Sequence, residues 1–232
     1  ADGSKETSTY DKLGREVSHT EANGLEVRYE YDAAGNLVLE DEGGIVTEYE
    51  YDSVNRLVKT IYANGGTEEN EYDKAGNLVS ETDSEGNRTA FAYDGANRLI
   101  RMTDALGYTT EYAYDGNGNL SEETDGNGNT ARTSYNLYNQ PETETDALGH
   151  ETKYEYTPGE EVKEVTDPEG NRTAYEYDLA GNLICVTDPL GHKTQMTYDT
   201  NGNCVSLTEP DGSKTTYAYD SNDRIIREED AE

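Results

Sequence analysis

The sequence predicts an all-β fold, a single-layer twisted antiparallel sheet built from consecutive β-hairpins. Three observations lead to this prediction: tyrosine recurs about every 21 residues, glycine or asparagine recurs at two fixed distances from it, and the intervening residues are polar or β-favouring. We call the recurring residues the anchor tyrosines: Tyr10, Tyr31, Tyr51, Tyr72, Tyr93, Tyr114, Tyr135, Tyr156, Tyr177, Tyr198 and Tyr219.

Each anchor tyrosine begins a first turn that leads into an outgoing strand. Residues 72–79, for example, read Tyr-Asp-Lys-Ala-Gly-Asn-Leu-Val. The fourth residue after the anchor is usually Gly, Asn or Asp, which tolerate the left-handed backbone region. Glu160 is the exception, and with Pro158 and Gly159 it predicts a remodelled turn.

A second turn begins eleven residues after the anchor and leads into a returning strand that ends at the next anchor. Its glycine is expected to have a positive φ in every copy: Gly3, Gly24, Gly44, Gly65, Gly86, Gly107, Gly128, Gly149, Gly170, Gly191 and Gly212. The interval between Tyr31 and Tyr51 is one residue short, which predicts a shorter turn around Gly43 and Gly44. Two turns and two strands of five or six residues account for one repeat.

Alternation along the returning strand predicts an aromatic ladder on one face of the sheet. A second ring precedes the anchor by two residues in most copies, as in Tyr29 and Tyr31, so both rings lie on the same side. In the outgoing strand, Leu is followed directly by Val or Ile in several copies, so each face receives some apolar residue. These stripes on both sides favour a single sheet over a sandwich, stabilised by cross-strand Tyr and Thr pairs.

Composition alone would indicate disorder, because only 32% of residues are hydrophobic and the formal net charge is -32. The periodic Gly and the 20 Tyr reverse that interpretation. The acidic charge argues against nucleic-acid partners, and no apolar run is long enough for membrane insertion. Two Cys are too few for a disulfide framework; Cys185 and Cys204 are separated by a returning strand and are expected to stay unbridged.

The unit Tyr-Asp-x-x-Gly-Asn-Leu, followed by Thr-Asp-x-x-Gly-Asn-x-Thr-x-x-Tyr-x-Tyr-Asp, resembles the RHS (rearrangement hotspot) or YD repeat, from Asp2 to the C-terminus. The resemblance implies a β-strip that spirals into a hollow shell, as in bacterial polymorphic toxins, toxin-complex subunits, wall-associated proteins and teneurins. It also implies a secreted or cell-surface structural and interaction module that encloses or presents a partner. The whole chain, 1–232, is then an array of about eleven repeats, uncapped at both ends.

The resemblance leaves alternatives open. The chain begins and stops in the second-turn phase, since Asp2-Gly3-Ser4-Lys5 matches residues 211–214. One hypothesis is a stretch of a larger shell; another is a subunit that adds head to tail to copies of itself in an extracellular β filament. Two Asp-Pro-x-Gly elements, at residues 167–170 and 188–191, match a self-cleavage motif of the family, but they occupy second-turn positions, where Pro simply fixes φ.

Candidate binding residues are few, and the sequence predicts no enzyme and no cofactor, because no nucleophile, phosphate loop or metal-ligand spacing stands out. Two turns offer oxygen ligands at alternate positions for a possible Ca²⁺ site: Asp115, Asn117 and Asn119, and Asp125, Asn127 and Asn129. The alternative is that these side chains only form hydrogen-bonded turns. The ladder rings either pack on one another or bind glycans or an encapsulated polypeptide, and the proposed contacts are Tyr112, Tyr154, Tyr175 and Tyr217.

Overall fold

The computed structural model describes residues 6–231, and within them the only regular elements are strands. The 22 strands are β1 Thr7–Tyr10, β2 Glu16–Thr20, β3 Glu26–Tyr31, β4 Leu37–Glu42, β5 Ile45–Tyr51, β6 Leu57–Ile61, β7 Thr67–Tyr72, β8 Leu78–Thr82, β9 Arg88–Tyr93, β10 Leu99–Thr103, β11 Thr109–Tyr114, β12 Leu120–Thr124, β13 Thr130–Tyr135, β14 Pro141–Thr145, β15 Glu151–Tyr156, β16 Val162–Thr166, β17 Arg172–Tyr177, β18 Leu183–Thr187, β19 Lys193–Tyr198, β20 Cys204–Thr208, β21 Lys214–Tyr219 and β22 Ile225–Ala231. Odd-numbered strands are the returning strands and even-numbered strands the outgoing ones.

The chain forms two compact units. The first holds the described residues up to Tyr112 together with Asp125–Asn127, and the second holds Ala113–Thr124 and the described residues from Gly128 onward. Within each unit, every strand pairs antiparallel with its neighbours in sequence, as β7 does with β6 and β8, or β17 with β16 and β18. The predicted all-β, single-layer antiparallel arrangement of consecutive hairpins is therefore confirmed.

First turns of both units adjoin a one-residue shift in the strand register. Tyr72 pairs with Leu78 while Glu71 pairs with Ser80, so Val79 is an extra residue on the outgoing strand. Such a β-bulge leaves one residue unpaired and increases the local strand twist. The same shift recurs where Tyr177 pairs with Leu183 and Glu176 pairs with Cys185.

Both turns of the repeat use the same backbone hydrogen bonds. In the first turn, the Asp73 amide donates to the Asn77 carbonyl at 2.9 Å and the Gly76 amide to the Asp73 carbonyl at 3.2 Å. In the second turn, Asp83 and Asn87 repeat the first of these bonds at 2.9 Å. This is a three-residue hairpin loop whose last residue is left-handed.

The predicted left-handed residues are confirmed throughout the described part of the chain. Each second-turn glycine there has a positive φ, and Gly3 lies outside the described residues. The first turns have positive φ at Gly14, Gly35, Asn55, Gly76, Asn97, Gly118, Asn139, Glu160, Gly181, Gly202 and Asp223. The shortened repeat closes through Gly43 and Gly44 alone, both with positive φ, between the paired residues Glu42 and Ile45.

The prediction of a remodelled turn at Glu160 is wrong. Glu160 has a φ of 74°, and its amide donates to the Thr157 carbonyl at 3.0 Å, as in the other copies. The Thr157 hydroxyl replaces the usual aspartate by accepting hydrogen bonds from the amides of Gly159 and Glu161. These bonds hold the ordinary turn even though its left-handed position carries a side chain that disfavours it.

The described residues bury very little apolar surface. Val27 and Cys185 are their only buried hydrophobic residues, and the tyrosines of the strands are mostly half-buried. A single layer cannot bury side chains between two sheets, so most apolar side chains keep one side in contact with solvent. The stability of the fold therefore depends on the strand ladder, the turns and side-chain pairs along each face.

Candidate functional site: the aromatic face

Strand register separates the side chains into two faces. Alternation places the anchor tyrosine and the residues two and four before it on one side, and the cross-strand partner nine residues after the anchor lies there as well, as Tyr49 and Thr60 show. We call this side the aromatic face. The intervening residues, such as Glu50 and its partner Lys59, form the opposite side, which we call the ionic face.

The aromatic face carries the predicted ladder. The position two residues before the anchor is occupied by a large side chain in eight copies: Tyr29, Tyr49, Phe91, Tyr112, Tyr154, Tyr175, Met196 and Tyr217. Short polar residues replace it at Ser8, Asn70 and Thr133, and we call these positions ladder gaps. In the second unit, aliphatic partners continue the face, since Val165, Val186 and Leu207 pair with Tyr154, Tyr175 and Met196.

The anchor tyrosine ties one hairpin to the previous one. Its hydroxyl donates to the carbonyl of the first residue of the preceding outgoing strand, fifteen residues earlier, as from Tyr72 to Leu57 at 3.1 Å and from Tyr198 to Leu183 at 2.8 Å. Burial raises the pKa of Tyr198, which keeps the donor protonated. Only the constant spacing of the anchors hints at this bond in the sequence.

Charge is distributed unequally between the two faces. None of the positions that define the aromatic face holds Lys or Arg in the described residues, whereas several hold Glu: Glu6, Glu40, Glu68 and Glu81 in the first unit, and Glu123, Glu144 and Glu228 in the second. Cross-strand ion pairs lie instead on the ionic face, as between Lys59 and Glu69 at 2.8 Å. The strand positions of the aromatic face therefore combine rings with carboxylates, while Arg15 and Arg56 reach the anchor rings Tyr31 and Tyr72 from first turns.

Two tyrosines of the ladder hold glutamates on this face. The Tyr154 hydroxyl donates to Glu144 Oε2 at 2.8 Å, and the Tyr49 hydroxyl to Glu40 Oε2 at 3.2 Å. The hydrogen bond to Glu144, together with burial, raises the pKa of Tyr154 to about 12. Neutral phenols are thus placed beside the carboxylates and orient them.

Cavities form beside two of the ladder gaps. A cavity of about 190 Å³ is lined by Glu68, Asn70, Glu81, Asp83 and Thr89 among others. Thr133 lines two further cavities, of about 120 and 340 Å³. Asn and Thr fill less space than the Tyr or Phe of the other copies, which contributes to these openings. Cavities also form where the ring is present, since Tyr154 lines two of about 510 and 570 Å³.

The predicted ligand-binding tyrosines belong to the aromatic face. In the second unit, Tyr154 and Tyr175 lie on the consecutive returning strands β15 and β17, and Tyr217 lies on β21, beyond Met196 of β19. Tyr112 occupies the same position of β11. All four are half-buried. Their binding of a glycan or polypeptide stays a prediction.

The two predicted calcium turns are separate, since residues 115–119 precede β12 and residues 125–129 follow it. Asp115 Oδ1 accepts the amides of Asn117 and Asn119 at 2.8 and 2.9 Å, and its Oδ2 accepts Asn119 Nδ2 at 3.0 Å. Asp125 Oδ1 likewise accepts the Asn127 amide. Within residues 6–231, no three His, Cys, Asp or Glu side chains are grouped as metal ligands, and calcium binding stays a prediction.

The remaining reactive side chains lie in separate local settings. Cys185 and Cys204 are free thiols on β18 and β20, as expected from the strand between them. His150 Nδ1 and His192 Nδ1 each contact the aspartate of their own second turn at 2.8 Å. No helix of the described chain is long and apolar enough to cross a bilayer.

Comparison with known proteins agrees with this geometry. The sequence pattern of the family described as RHS Repeat matches seven segments, residues 10–40, 38–67, 72–107, 93–130, 159–193, 177–214 and 198–232. No curated protein matches the chain.

Two solved structures share the fold. They are a TcdB2-TccC3 complex, with a TM-score of 0.54, and TcdB2-TccC3 without its hypervariable C-terminal region, with a TM-score of 0.52. Each is 16% identical in sequence, and the match covers 98% and 97% of this chain. The chain spans only 17% and 19% of the length of those chains.

Proposed function

The chain belongs to the RHS repeat family, and we propose that it is a non-catalytic stretch of an extracellular shell or scaffold whose aromatic face contacts an enclosed polypeptide. The observation that carries this proposal is the aromatic face itself: a row of half-buried rings and aliphatic side chains that no second layer of the described residues covers. A row of apolar side chains left partly open to solvent is typical of an interaction site.

The chemistry of the face suits an unfolded chain. Half-exposed rings and Val or Leu side chains in the second unit offer apolar contacts without a deep, shaped pocket, so they can accept many different sequences. The TcdB2-TccC3 structures share the fold, and the proposal extends to this chain the enclosing role that the family resemblance implies. The proposal includes a place outside the producing cell, as the family resemblance implies.

Binding of an unfolded polypeptide tests the proposal. We expect the chain to slow the proteolysis of a fluorescent, permanently unfolded protein, such as a reduced and carboxymethylated lactalbumin, and to have no effect on its folded form. Polyglutamate of matched net charge serves as the control for simple charge effects. Equal protection by polyglutamate, or none by the chain, would overturn the proposal.

Matched variants assign the effect to one face. Val165→Thr, Val186→Thr and Leu207→Thr together make the aromatic face more polar, and Thr60 shows that the repeat accepts threonine at this position. The control places threonine on the ionic face of the same unit through Ala174→Thr and Gln195→Thr, where Thr216 is already found. Only the first variant is expected to lose protection of the unfolded protein.

A further inference from the structure

The ladder gap at Asn70 opens a cavity on the aromatic face of the first unit. Asn70 lies on β7 where most copies have a ring, and its Nδ2 donates to the Leu57 carbonyl at 3.4 Å, the same carbonyl that accepts the Tyr72 hydroxyl. The short side chain is therefore directed toward the first turn. The space left behind is the cavity of about 190 Å³ between Glu68 and Glu81.

This cavity is negatively charged on several sides. Glu68 and Glu81 contribute two carboxylates, and Asp83 adds a third at its edge. The Asn87 side chain, which donates to Asp83 Oδ2 at 2.8 Å, lowers the pKa of Asp83 and keeps it ionised. No Lys or Arg lines the cavity, which contrasts with the paired charges of the ionic face.

A metal ion does not fit this arrangement well. Asp83 Oδ1 already accepts the amides of Glu85 and Asn87, and Glu68 accepts a hydrogen bond from the Tyr62 hydroxyl. Glu81 and the remaining lone pairs of Glu68 are then the carboxylate groups that can face a ligand. Calcium takes six to eight oxygen ligands, more than these two side chains supply. An organic cation needs fewer, because its N–H groups pair with two carboxylates in directed hydrogen bonds.

We propose that the cavity at Asn70 binds the cationic end of an Arg or Lys side chain from the polypeptide that contacts the aromatic face. Charge complementarity carries the assignment: the cavity is lined by carboxylates and by no Lys or Arg, and it is open to solvent beside the ladder. The choice of a polypeptide as the source of the cation rests on the proposed function. The recognition of a cation by the carboxylates of the cavity does not depend on the proposed function.

Titration with a small probe tests the site separately from that function. The probe is N-acetyl-arginine methylamide, followed through the backbone amide resonances of residues 68, 70 and 81 of the full chain in about 0.15 M salt, where long-range attraction is screened. The neutral control is the citrulline analogue, which keeps the shape and loses the charge. We expect saturable shifts at these amides with arginine and shifts at least about tenfold weaker with citrulline.

Three variants complete the test. Asn70→Tyr fills the gap with the residue that other copies carry, keeps the net charge, and should abolish the shifts while the melting temperature is retained. Glu68→Gln with Glu81→Gln should weaken binding by about tenfold. Glu48→Gln with Glu50→Gln, on the ionic face of β5, changes the net charge equally and should leave binding unchanged.

The outcomes separate the possible failures. Equal binding of citrulline, persistence of binding in Asn70→Tyr, or an equal loss in the ionic-face control would each overturn the assignment. If arginine binds as described while unfolded polypeptides are not protected from proteolysis, the cavity stands as a cation site and the enclosing role fails. The reverse result would retain the role and remove this cavity from it.

Discussion

The guanidinium of Arg56 lies over the ring of Tyr72, with Cζ 4.5 Å from the ring centroid. The same Arg56 donates through Nε to Asp52 Oδ2 at 2.7 Å and through an Nη atom to the Asp73 carbonyl at 3.3 Å. One side chain thus joins its own first turn to the anchor and first turn of the next repeat. Arg15 repeats the contact with Tyr31 at 4.6 Å.

A second kind of link replaces arginine with asparagine. Asn77 Nδ2 donates to Asp73 Oδ2 in its own turn and to Asn97 Oδ1 in the next at 2.9 Å. In these two links the left-handed residue of the following turn differs with the linking side chain, since Gly76 follows Arg56 and Asn97 follows Asn77, although Gly202 follows Asn182. A Cβ at Gly76 would be 3.8 Å from an Nη atom of Arg56, so a longer side chain there would compete with the guanidinium for space.

Replacing Arg56 should weaken the junction between two repeats. Arg56→Gln removes the cation–π contact and the bond to the next turn, and we expect the melting temperature to fall by about 2–4 °C. Lys74→Gln, an exposed change of equal charge in the next turn, is the control and should have little effect. Thermal unfolding measures both, and equal shifts would contradict the role of Arg56.

We expect that the link of Arg56 with Gly76 can be replaced by an asparagine–asparagine link only when both residues are changed together. Gly76→Asn is expected to destabilise the chain beside Arg56 but much less in the Arg56→Asn background, where an Asn–Asn link like that of Asn77 and Asn97 can form. A double-mutant cycle measures the coupling between the two positions. Additive effects would show that the two residues act independently.

The hydroxyl of Tyr72 should contribute to stability apart from its ring. Tyr72→Phe removes the donor to the Leu57 carbonyl and leaves the ring in place, at an expected cost of about 1 kcal/mol. Tyr138→Phe, at a side chain that is 71% exposed, is the control. Urea unfolding measures both variants, and an unchanged midpoint for Tyr72→Phe would contradict the contribution of this bond.

The sequence predicted the regular part of this structure and missed what depends on side-chain reach. Period and turn residues were sufficient for the hairpins, because Gly76 or Asn97 reports a left-handed backbone directly. The carbonyl that accepts the hydrogen bond of the Tyr72 hydroxyl could not be predicted, because alternation tells which face a side chain lies on but not which atoms it contacts there. The cavity at Asn70 was missed for the same reason, and the regular turn at Glu160 was missed because Thr157 takes the role of aspartate.

Acid should destabilise the fold through the turn aspartates. The hydrogen bond from the Asn77 side chain holds the pKa of Asp73 below its ordinary value of 3.8, and Asn182 does the same for Asp178. The unfolded state therefore binds more protons near and below pH 3.8, so this stabilisation is complete above about pH 5 and is lost as the pH falls through the lowered pKa.

Replacing the charged aspartates of two turns tests whether they cause the loss of stability in acid. Asn136 and Gln140 already form an uncharged version of the turn, in which Asn136 Oδ1 accepts the Gln140 amide and Nδ2 donates to Gln140 Oε1 at 2.9 Å. The same change at two turns, Asp73→Asn with Asn77→Gln and Asp178→Asn with Asn182→Gln, should make the acid loss of stability shallower. Parallel pH profiles for variant and parent would contradict the assignment.

Calcium should raise the melting temperature if the two predicted turns bind it. At about millimolar Ca²⁺, binding to the folded state alone stabilises the chain, and Asp115→Asn with Asp125→Asn should remove the shift. Magnesium at the same concentration is the control for screening of the net negative charge. Equal shifts with both ions, or no shift, would leave only the structural role of these turns.

Glycine should stabilise the turn at Glu160. Its φ of 74° is unfavourable for a residue with a Cβ. Glu160 contacts the preceding first turn through its backbone, since its carbonyl accepts a hydrogen bond from Gln140 Nε2 at 2.7 Å. Glu160→Gly keeps that carbonyl and removes the strain, which should raise the melting temperature by about 2–4 °C. Glu169→Gly loses the same charge at a position without a positive φ, and should lower the melting temperature or leave it unchanged. A similar rise in both variants would show that lost negative charge, and not the backbone, is responsible.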